Sequence, residues 1–470
     1  MNIDWLELMK WFARTGAVIC ALSIVSATGT AADVQPPVNW LAPAGFDPGL
    51  VDLGLPQLPG LRHEVIYAPK PSGGSLEDGG PGDYESVLHG TFNHHTKVVV
   101  VGNKVVVYWT NHALDENGPG QRILARWGIL SDARDHIEWG DPEKRTIELV
   151  PAPVPVRHRL PFDRAGVDRR YNNVSLVAVD GMLRLSVATR LSHGWTDDMR
   201  FRSPREETIP DERFQVNIDK KYHFDIFWDL NARFFQLWGF VGDELTPLSP
   251  LYAERQPASE IRMTETVTLP MPPLAPFFVQ AKPLERAPPV LAELFRKSPL
   301  VAGRIGRYLP HTEHLAANGK NALWHWAEYR RRDDALVMLH DNRDDLGHYY
   351  AAVADEYGIY SSGIRTKMYG YGMPAAGRLP DGRSWVIGNS RGRFGFFLTL
   401  SDDGVTFDRS WFLLHVDKTW IPGFAKPKRS GPQYPQAVVI GEAIWVFYSI
   451  GKEQIGVTRI PFASLAKQIG

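Results

Sequence analysis

Apolar and polar positions alternate in short runs along most of this chain, and the runs come in pairs around turn residues. Val98-Val99-Val100-Val101 and Val105-Val106-Val107-Tyr108 flank Gly102-Asn103. Two β-branched runs around Gly-Asn predict a tight hairpin. The same grammar recurs. Val174 to Val179 turns at Asp180-Gly181 into Leu183 to Val187, and Tyr222 to Trp228 is expected to turn at Asn231-Ala232 into Phe234 to Phe240. Ala335 to His340 precedes Tyr349 to Val353, and Ser384 to Ile387 precedes Phe394 to Leu400 and the turn Asp402-Asp403-Gly404. Ala437 to Ile440 turns at Gly441-Glu442 into Ile444 to Tyr448, and Ile455 to Ile460 is the last strand. Many short antiparallel strands with few helical patterns predict an all-β fold built by radial repetition, a β-propeller. At 470 residues, with roughly 40 to 50 residues per blade, the length suits seven four-stranded antiparallel blades better than five. Residues 33–60, rich in Pro, Gly and Leu, are expected to wrap the surface. The Pro-rich stretch 255–300 reads as an excursion between blades with one short helix near Leu291-Ala292-Glu293-Leu294; a boundary between two domains is the other reading.

The N-terminus has the order of a secretory signal: Lys10 and Arg14, an apolar stretch from Ala17 to Val25, then small residues to Ala32. The expectation is a signal over residues 1–32, a propeller domain over 33–470, and a secreted or periplasmic protein with no membrane attachment once the signal is removed. Cys20, the only cysteine, would leave with the signal. The mature chain then has no disulfide, no cysteine nucleophile and no Cys-based zinc site. Net charge is −1, so bulk attraction to nucleic acid is not expected.

The candidate chemistry starts at the first hairpin. Asn93-His94-His95 enters one strand and His112 leaves the other, so three imidazoles should meet at one sheet edge, a setting for proton transfer or metal ligation. Adjacent strand residues point to opposite faces, so one of His94 and His95 should enter a cleft. Arginines able to pair with a carboxylate occur at Arg169-Arg170, followed by Tyr171, then at Arg330, Arg343 and His348, with Arg391 and Arg393 a third candidate group. Glu328-Tyr329-Arg330 and His340 to Arg343 fall on neighbouring strands and are expected to face one channel. The adjacent carboxylates Asp115-Glu116 invite a glycosidase reading, but neighbours on a turn-rich loop rarely face each other, and they suit loop structure better.

Several segments resemble the sialidase-like propellers often labelled BNR-repeat proteins, and more narrowly the propeller polysaccharide lyases: ulvan lyases of families 24 and 25 and rhamnosyl-glucuronate lyases. They are Asn93-His94-His95 with Trp109-Thr110-Asn111-His112 and Asp115 to Gln121, then Ala376 to Arg383, then Leu400-Ser401-Asp402-Asp403-Gly404-Val405-Thr406-Phe407-Asp408, and Gln433-Tyr434-Pro435-Gln436 with Trp445 to Ser449. The turn Ser131 to Asp135 and the segment Tyr357 to Tyr360 depart from the pattern. The resemblance implies β-elimination at a uronate in an acidic polysaccharide, with His94 or His95 and His112 as the catalytic pair and Tyr171 as a proton donor or a ring-stacking group. It also implies substrate contacts from Asn93, Asn111, Gln121, Arg169, Arg170, Arg330, Arg343, His348 and Tyr434. No cofactor or catalytic metal is required, and a structural cation is compatible. A glycoside hydrolase on the same scaffold (sialidase or exo-rhamnosidase) and a non-catalytic carbohydrate-binding propeller are the alternatives, since one fold hosts all three.

Overall fold

A computed structural model describes residues 37–70, 86–112, 121–151, 158–159, 166–192, 230–255, 260–262, 268–270, 281–296, 326–341, 345–355, 360–361, 363–416 and 431–466. The expected signal over 1–32 lies outside them, as do Arg343, Asp115-Glu116 and the run Tyr222 to Trp228. For Arg169, Arg170 and Tyr171 the strand they belong to is described, but not their side chains.

Strands β1 (Asn39–Trp40) and β2 (Arg62–Tyr67) come first. Blade I holds β3 (Phe92–Val101), β4 (Lys104–His112) and β5 (Arg122–Leu130), with β6 (Ile137–Glu138) and β7 (Thr146–Val150) both on β5. Blade II holds β8 (His158–Arg159), β9 (Gly166–Val179), β10 (Met182–Ser192), β11 (Leu230–Val241), β12 (Glu244–Pro247) and β13 (Tyr252–Arg255). A small hairpin, β14 (Glu260–Arg262) and β15 (Thr268–Pro270), stands apart, and β16 (Lys282–Pro283) returns to blade II. The helix α1 (Pro289–Arg296) contains the expected Leu291 to Leu294. Blade III is β17 (Trp326–Arg330), β18 (Leu336–Asp341), β19 (Gly347–Val353) and β20 (Ile364–Gly370). Blade IV is β21 (Ala375–Arg378), β22 (Ser384–Asn389), β23 (Gly395–Ser401) and β24 (Thr406–His415). Blade V is β25 (Pro432–Ile440), β26 (Ala443–Ile450) and β27 (Gln454–Pro461).

The inner strands pack in the order β9, β3, β25, β21, β17, so blades II, I, V, IV and III are successive neighbours. Among the described residues there are five such sheets, two fewer than the seven blades expected from length. The turn expected at Asn231-Ala232 is absent, because β11 continues as one strand from Leu230 past that point, with a register shift there against β10, and also pairs with β13. The Ser401-Asp402-Asp403-Gly404 turn forms as its residues dictate: the Asp403 carboxylate accepts from the amides of Val405 and Thr406, and the Ser401 hydroxyl accepts from Gly404.

The N-terminal segment does more than wrap. β1 lies parallel on β24 as the outer strand of blade IV, and Val38, Leu53 and Leu55 are buried with the apolar faces of blades III and IV. β2 pairs antiparallel with β27 as the outer strand of blade V, so residues far apart in sequence complete one sheet. Its Ile66 and Tyr67 fill the core between blades V and I, and the Tyr67 ring meets Trp109 with centroids 4.7 Å apart. Removing a buried aromatic of this size leaves a cavity as well as losing its transfer energy. Tyr67→Ala is expected to cost about 3 kcal/mol in denaturant unfolding; an unchanged midpoint would mean that the packing of β2 between blades V and I contributes nothing to stability.

Candidate functional site

The start of each inner strand and the end of each second strand lie on one edge of their blade. On blade I, Phe92 pairs with His112, Asn93 with Asn111 and His94 with Thr110. His94 and His112 are therefore diagonal neighbours on one face of the ladder, about 7–8 Å apart by backbone position. After His94 the register slips, so that His95 and Thr96 together face a single residue of β4. This is a β-bulge, and its first residue, His95, has φ +58°. The left-handed turn breaks the alternation expected of adjacent residues. His94 and His95 fall on the same side, with ring centroids 4.6 Å apart, while His94 is buried and His95 is exposed.

Blade V repeats the device. Gln433 pairs with Ser449 and Gln436 with Phe447, leaving Tyr434 and Pro435 as the bulge, and Tyr434 has φ +56°. β9 of blade II is also irregular between Tyr171 and Asn173, at the corresponding height. The two bulges on β3 and β25 bring their first residues together. Tyr434 lies edge-on to His94, with centroids 4.2 Å apart, and tilted against His95 at 5.0 Å.

Blade IV supplies the cation. The loop after β22 carries Arg393, itself at φ +63°. Its guanidinium carbon lies 5.5 Å from the centre of the Tyr434 ring, and it rests against Gly372, where a Cβ would sit 2.8 Å from Nε. That glycine is needed for close approach, and Gly431 likewise: a Cβ there would fall 2.0 Å from the Arg393 carbonyl oxygen. Among the described residues the Arg393 side chain makes no hydrogen bond or ion pair, and its Nε is buried. Sequence reasoning ranked this residue last of its arginines, because nothing in Arg391-Gly392-Arg393 signals that the loop folds over the neighbouring blade.

The hydroxyl of Ser449 sits 2.7 Å from His94 Nδ1 and donates to the Gln433 carbonyl at 3.4 Å. With its proton so directed, the serine oxygen accepts from Nδ1–H, which leaves Nε2 as the basic nitrogen of a neutral His94. Ser449 was part of the resembling segment, but the sequence offered no sign of this role. His340, at the end of β18 on the same edge of blade III, is buried; its Nδ1 donates to the Asp341 carbonyl at 3.0 Å, and burial pulls its pKa down, the Asp341 contacts opposing.

Other expected site residues stand elsewhere. Arg330 pairs with Leu336 at the turn end of β17, four positions from the Trp326–His340 pair, about 13 Å away along the strand. Its guanidinium donates to the Asp334 carbonyl, so it does not share a channel with His340. His348 lies on the correct edge but on the third strand, where Arg365 Nη2 is 2.8 Å from its Nδ1 and Asp345 holds Arg365. Gln121 is buried. Asn93 and Asn111 build the edge instead of lining it. Both are fully buried; Asn93 Oδ1 accepts from Trp109 Nε1 and Asn111 Nδ2, and Asn93 Nδ2 donates to the carbonyls of Gly90 and Glu453. Among the described residues no group of three His, Cys, Asp or Glu is arranged to hold a metal ion.

No family model matches this sequence, and no curated protein does. Among solved structures, a sialidase superposes over 90% of this chain at 15% identity and a TM-score of 0.57. The chain spans only 35% of that sialidase's length. The intramolecular trans-sialidase from Ruminococcus gnavus, in complex with oseltamivir carboxylate, aligns over 84% of this chain and 100% of its own at 8% identity and a TM-score of 0.41. A GH43_1 enzyme from Xanthomonas citri aligns over 81% and 91% at 9% identity and a TM-score of 0.31. The first of these shows the fold: a sialidase-like β-propeller.

Two measurements probe the site's frame. Asn93→Ala strands buried polar partners on both blades and is expected to cost about 3 kcal/mol in unfolding; a loss below about 0.5 kcal/mol would remove Asn93 from the seam. Lys97, just past the bulge, donates to the Val174 carbonyl of blade II at 2.6 Å, and burial lowers its pKa to about 8 from 10.5. From pH 8 upward the folded chain releases this proton while the unfolded chain keeps it, so stability rises with pH. Unfolding midpoints are expected to climb between pH 8 and 9.5 and to lose that climb in Lys97→Met. A flat wild-type profile would show that the ammonium is well solvated.

Proposed function

We propose that this chain is a secreted carbohydrate-active propeller that cleaves a uronate-containing polysaccharide by β-elimination. Rhamnose-linked glucuronate is the favoured substrate. The observation that carries the reading is the Arg393 guanidinium beside Tyr434, next to the paired imidazoles of His94 and His95. Elimination at a uronate requires a cation on the carboxylate before the C5 proton becomes acidic, a base to take that proton, and an acid for the departing oxygen.

Arg393 is assigned to the carboxylate, which its planar fork can hold with two hydrogen bonds. His95, the exposed imidazole, is assigned as the base. The C5–H bond breaks toward His95, its electron pair becomes the C4–C5 double bond, and the C4–O bond breaks. Tyr434 gives its proton to the leaving oxygen. His94 and His112 are nine-tenths buried or more and are assigned to fixing the two reacting rings, with Ser449 setting the His94 tautomer. Arg169, Arg170 and Tyr171 lie on β9 of blade II, just before the irregularity between Tyr171 and Asn173, and are kept as candidate substrate contacts. In a sialidase reading Glu328 would partner Tyr434; its carboxylate instead accepts from the Tyr360 hydroxyl at 2.9 Å, and this favours elimination over that hydrolytic pairing.

Incubation with uronate polysaccharides is expected to generate the near-ultraviolet absorbance of an unsaturated uronate. His95→Ala should lower kcat by roughly 10²–10⁴ with folding unchanged. New reducing ends without that absorbance would replace the lyase reading with hydrolysis.

A further inference from the structure

A groove rimmed by charged side chains opens on the opposite edge of blade V. It encloses about 250 Å³ between the outer strands of blade V and the β5–β6 turn of blade I, and is lined by Arg62, His63, Glu64, Asp135, His136 and Arg459, with Trp445 beneath. Trp445 lies four positions before Ser449 on β26, about 13 Å along the strand, so this groove is separate from the ring cluster.

Its charges are arranged in an unusual way. Arg62 and Arg459 are directly opposite each other on the β2–β27 ladder, and like charges in that position destabilise a sheet. Neither guanidinium makes a hydrogen bond or ion pair among the described residues, and Arg459 Nε is buried without a partner. The Arg459 guanidinium instead lies 5.9 Å from the centre of the Trp445 ring. Around this cation pair stand hydrogen-bonding groups of the kind that read sugar hydroxyls. The Asp135 carboxylate, which accepts from Ser131 at 2.8 Å, stands on the blade I side, and Glu64 follows Arg62 by two positions on the same face of β2; His63 turns to the other face, its Nδ1 2.8 Å from the Thr458 hydroxyl. A cavity of this size is smaller than the roughly 300–1,000 Å³ of whole small-ligand pockets, which suits one ring of a longer chain.

We infer that this groove is an accessory saccharide site that grips one carboxylate-bearing sugar of an acidic polymer, with Arg62 and Arg459 on the carboxylate and Glu64 and Asp135 on ring hydroxyls. Two opposed guanidiniums held apart with open donors match the two oxygens of a carboxylate. The inference shares with the proposed function only the acidic saccharide, not the reaction, and stands if no turnover is found.

Affinity electrophoresis in native gels tests it, with a carboxylate-only polyuronate, a sulfated neutral polysaccharide and neutral dextran as probes. The polyuronate is expected to retard the wild-type protein most. Arg459→Gln should raise its dissociation constant roughly tenfold, the loss of one charge-assisted contact. Arg62→Gln, on an exposed edge strand, should do the same and keeps the test valid if Arg459→Gln does not fold. Arg393→Ala should leave the groove's share of the retardation in place. Three outcomes would overturn the inference: equal retardation by the sulfated polymer, equal retardation by dextran, or polyuronate binding abolished by Arg393→Ala and untouched by both groove variants.

Discussion

The amide of Asn93 holds together the part of the molecule on which the candidate chemistry depends. Its oxygen accepts two hydrogen bonds and its nitrogen donates two, the full ordinary capacity of the group. The four partners come from both sides of the seam: Trp109, Asn111 and Gly90 belong to blade I, and Glu453 to the turn that follows β26. The backbone adds a fifth tie, Asn93 N–H to the Lys452 carbonyl at 2.6 Å. Arg122 extends the frame by donating to Asn111 Oδ1 and to the carbonyls of Ser86 and His89. A buried polar network that is fully satisfied fixes one geometry, because every displaced arrangement strands a group in a medium of low dielectric. The next residues along β3 are His94 and His95, so their placement relative to Tyr434 follows from this lock.

With the seam fixed, unfavourable backbone can be tolerated. A non-glycine residue in the left-handed region costs roughly 1–2 kcal/mol. Eight such residues are found among the described ones, and four of them, His95, Arg393, Tyr434 and Lys452, gather at this edge. Elsewhere the same conformation serves loops and turns, as at Asp180 before Gly181 and Asp334 between β17 and β18. At His95 and Tyr434 it turns a side chain out of a strand that would otherwise alternate, and at Arg393 and Lys452 it shapes the loop and turn that pack against them. Strain concentrated where three blades meet, and held by packing on every side, is the pattern expected of a site that positions reacting groups.

The same conformations mark the boundary of what the sequence discloses. Apolar alternation and Gly-Asn, Asp-Gly or Gly-Glu turns are local signals, so the β3–β4, β9–β10 and β25–β26 hairpins are legible from residues alone. The meeting of the imidazoles at one edge follows from the β3–β4 hairpin. The bulges are not legible: Asn93-His94-His95-Thr96 has no residue that demands positive φ, and the alternation rule assigns His94 and His95 to opposite faces when the left-handed turn puts them on one. Arg330 illustrates a different limit. Two strands adjacent in sequence bring their near ends together, and Arg330 sits at the near end of β17 while His340 sits at the far end of β18. The seven blades expected rest on length, which does not say where a blade begins or ends; the described residues hold five sheets of blade size. Arg393 depends on Gly372 and Gly431, each from a neighbouring segment, leaving room for its loop; that complementarity exists only in three dimensions.

The division of charge between the two edges bears on how an acidic polymer would be handled. Among the described residues one guanidinium stands beside the His94, His95 and Tyr434 rings, so an anion there meets one strong contact and groups able to exchange a proton. At the outer groove two guanidiniums stand with carboxylates and His136 over a buried indole, an arrangement with more grip and no cluster of contacting His and Tyr rings. Binding energy that is equal in ground and transition states improves capture and leaves the chemical step unchanged. Holding a polymer on the outer edge and reacting it at the inner one separates those two demands, and β26 carries both: Trp445 near one end under the groove, and Ser449 near the other behind His94.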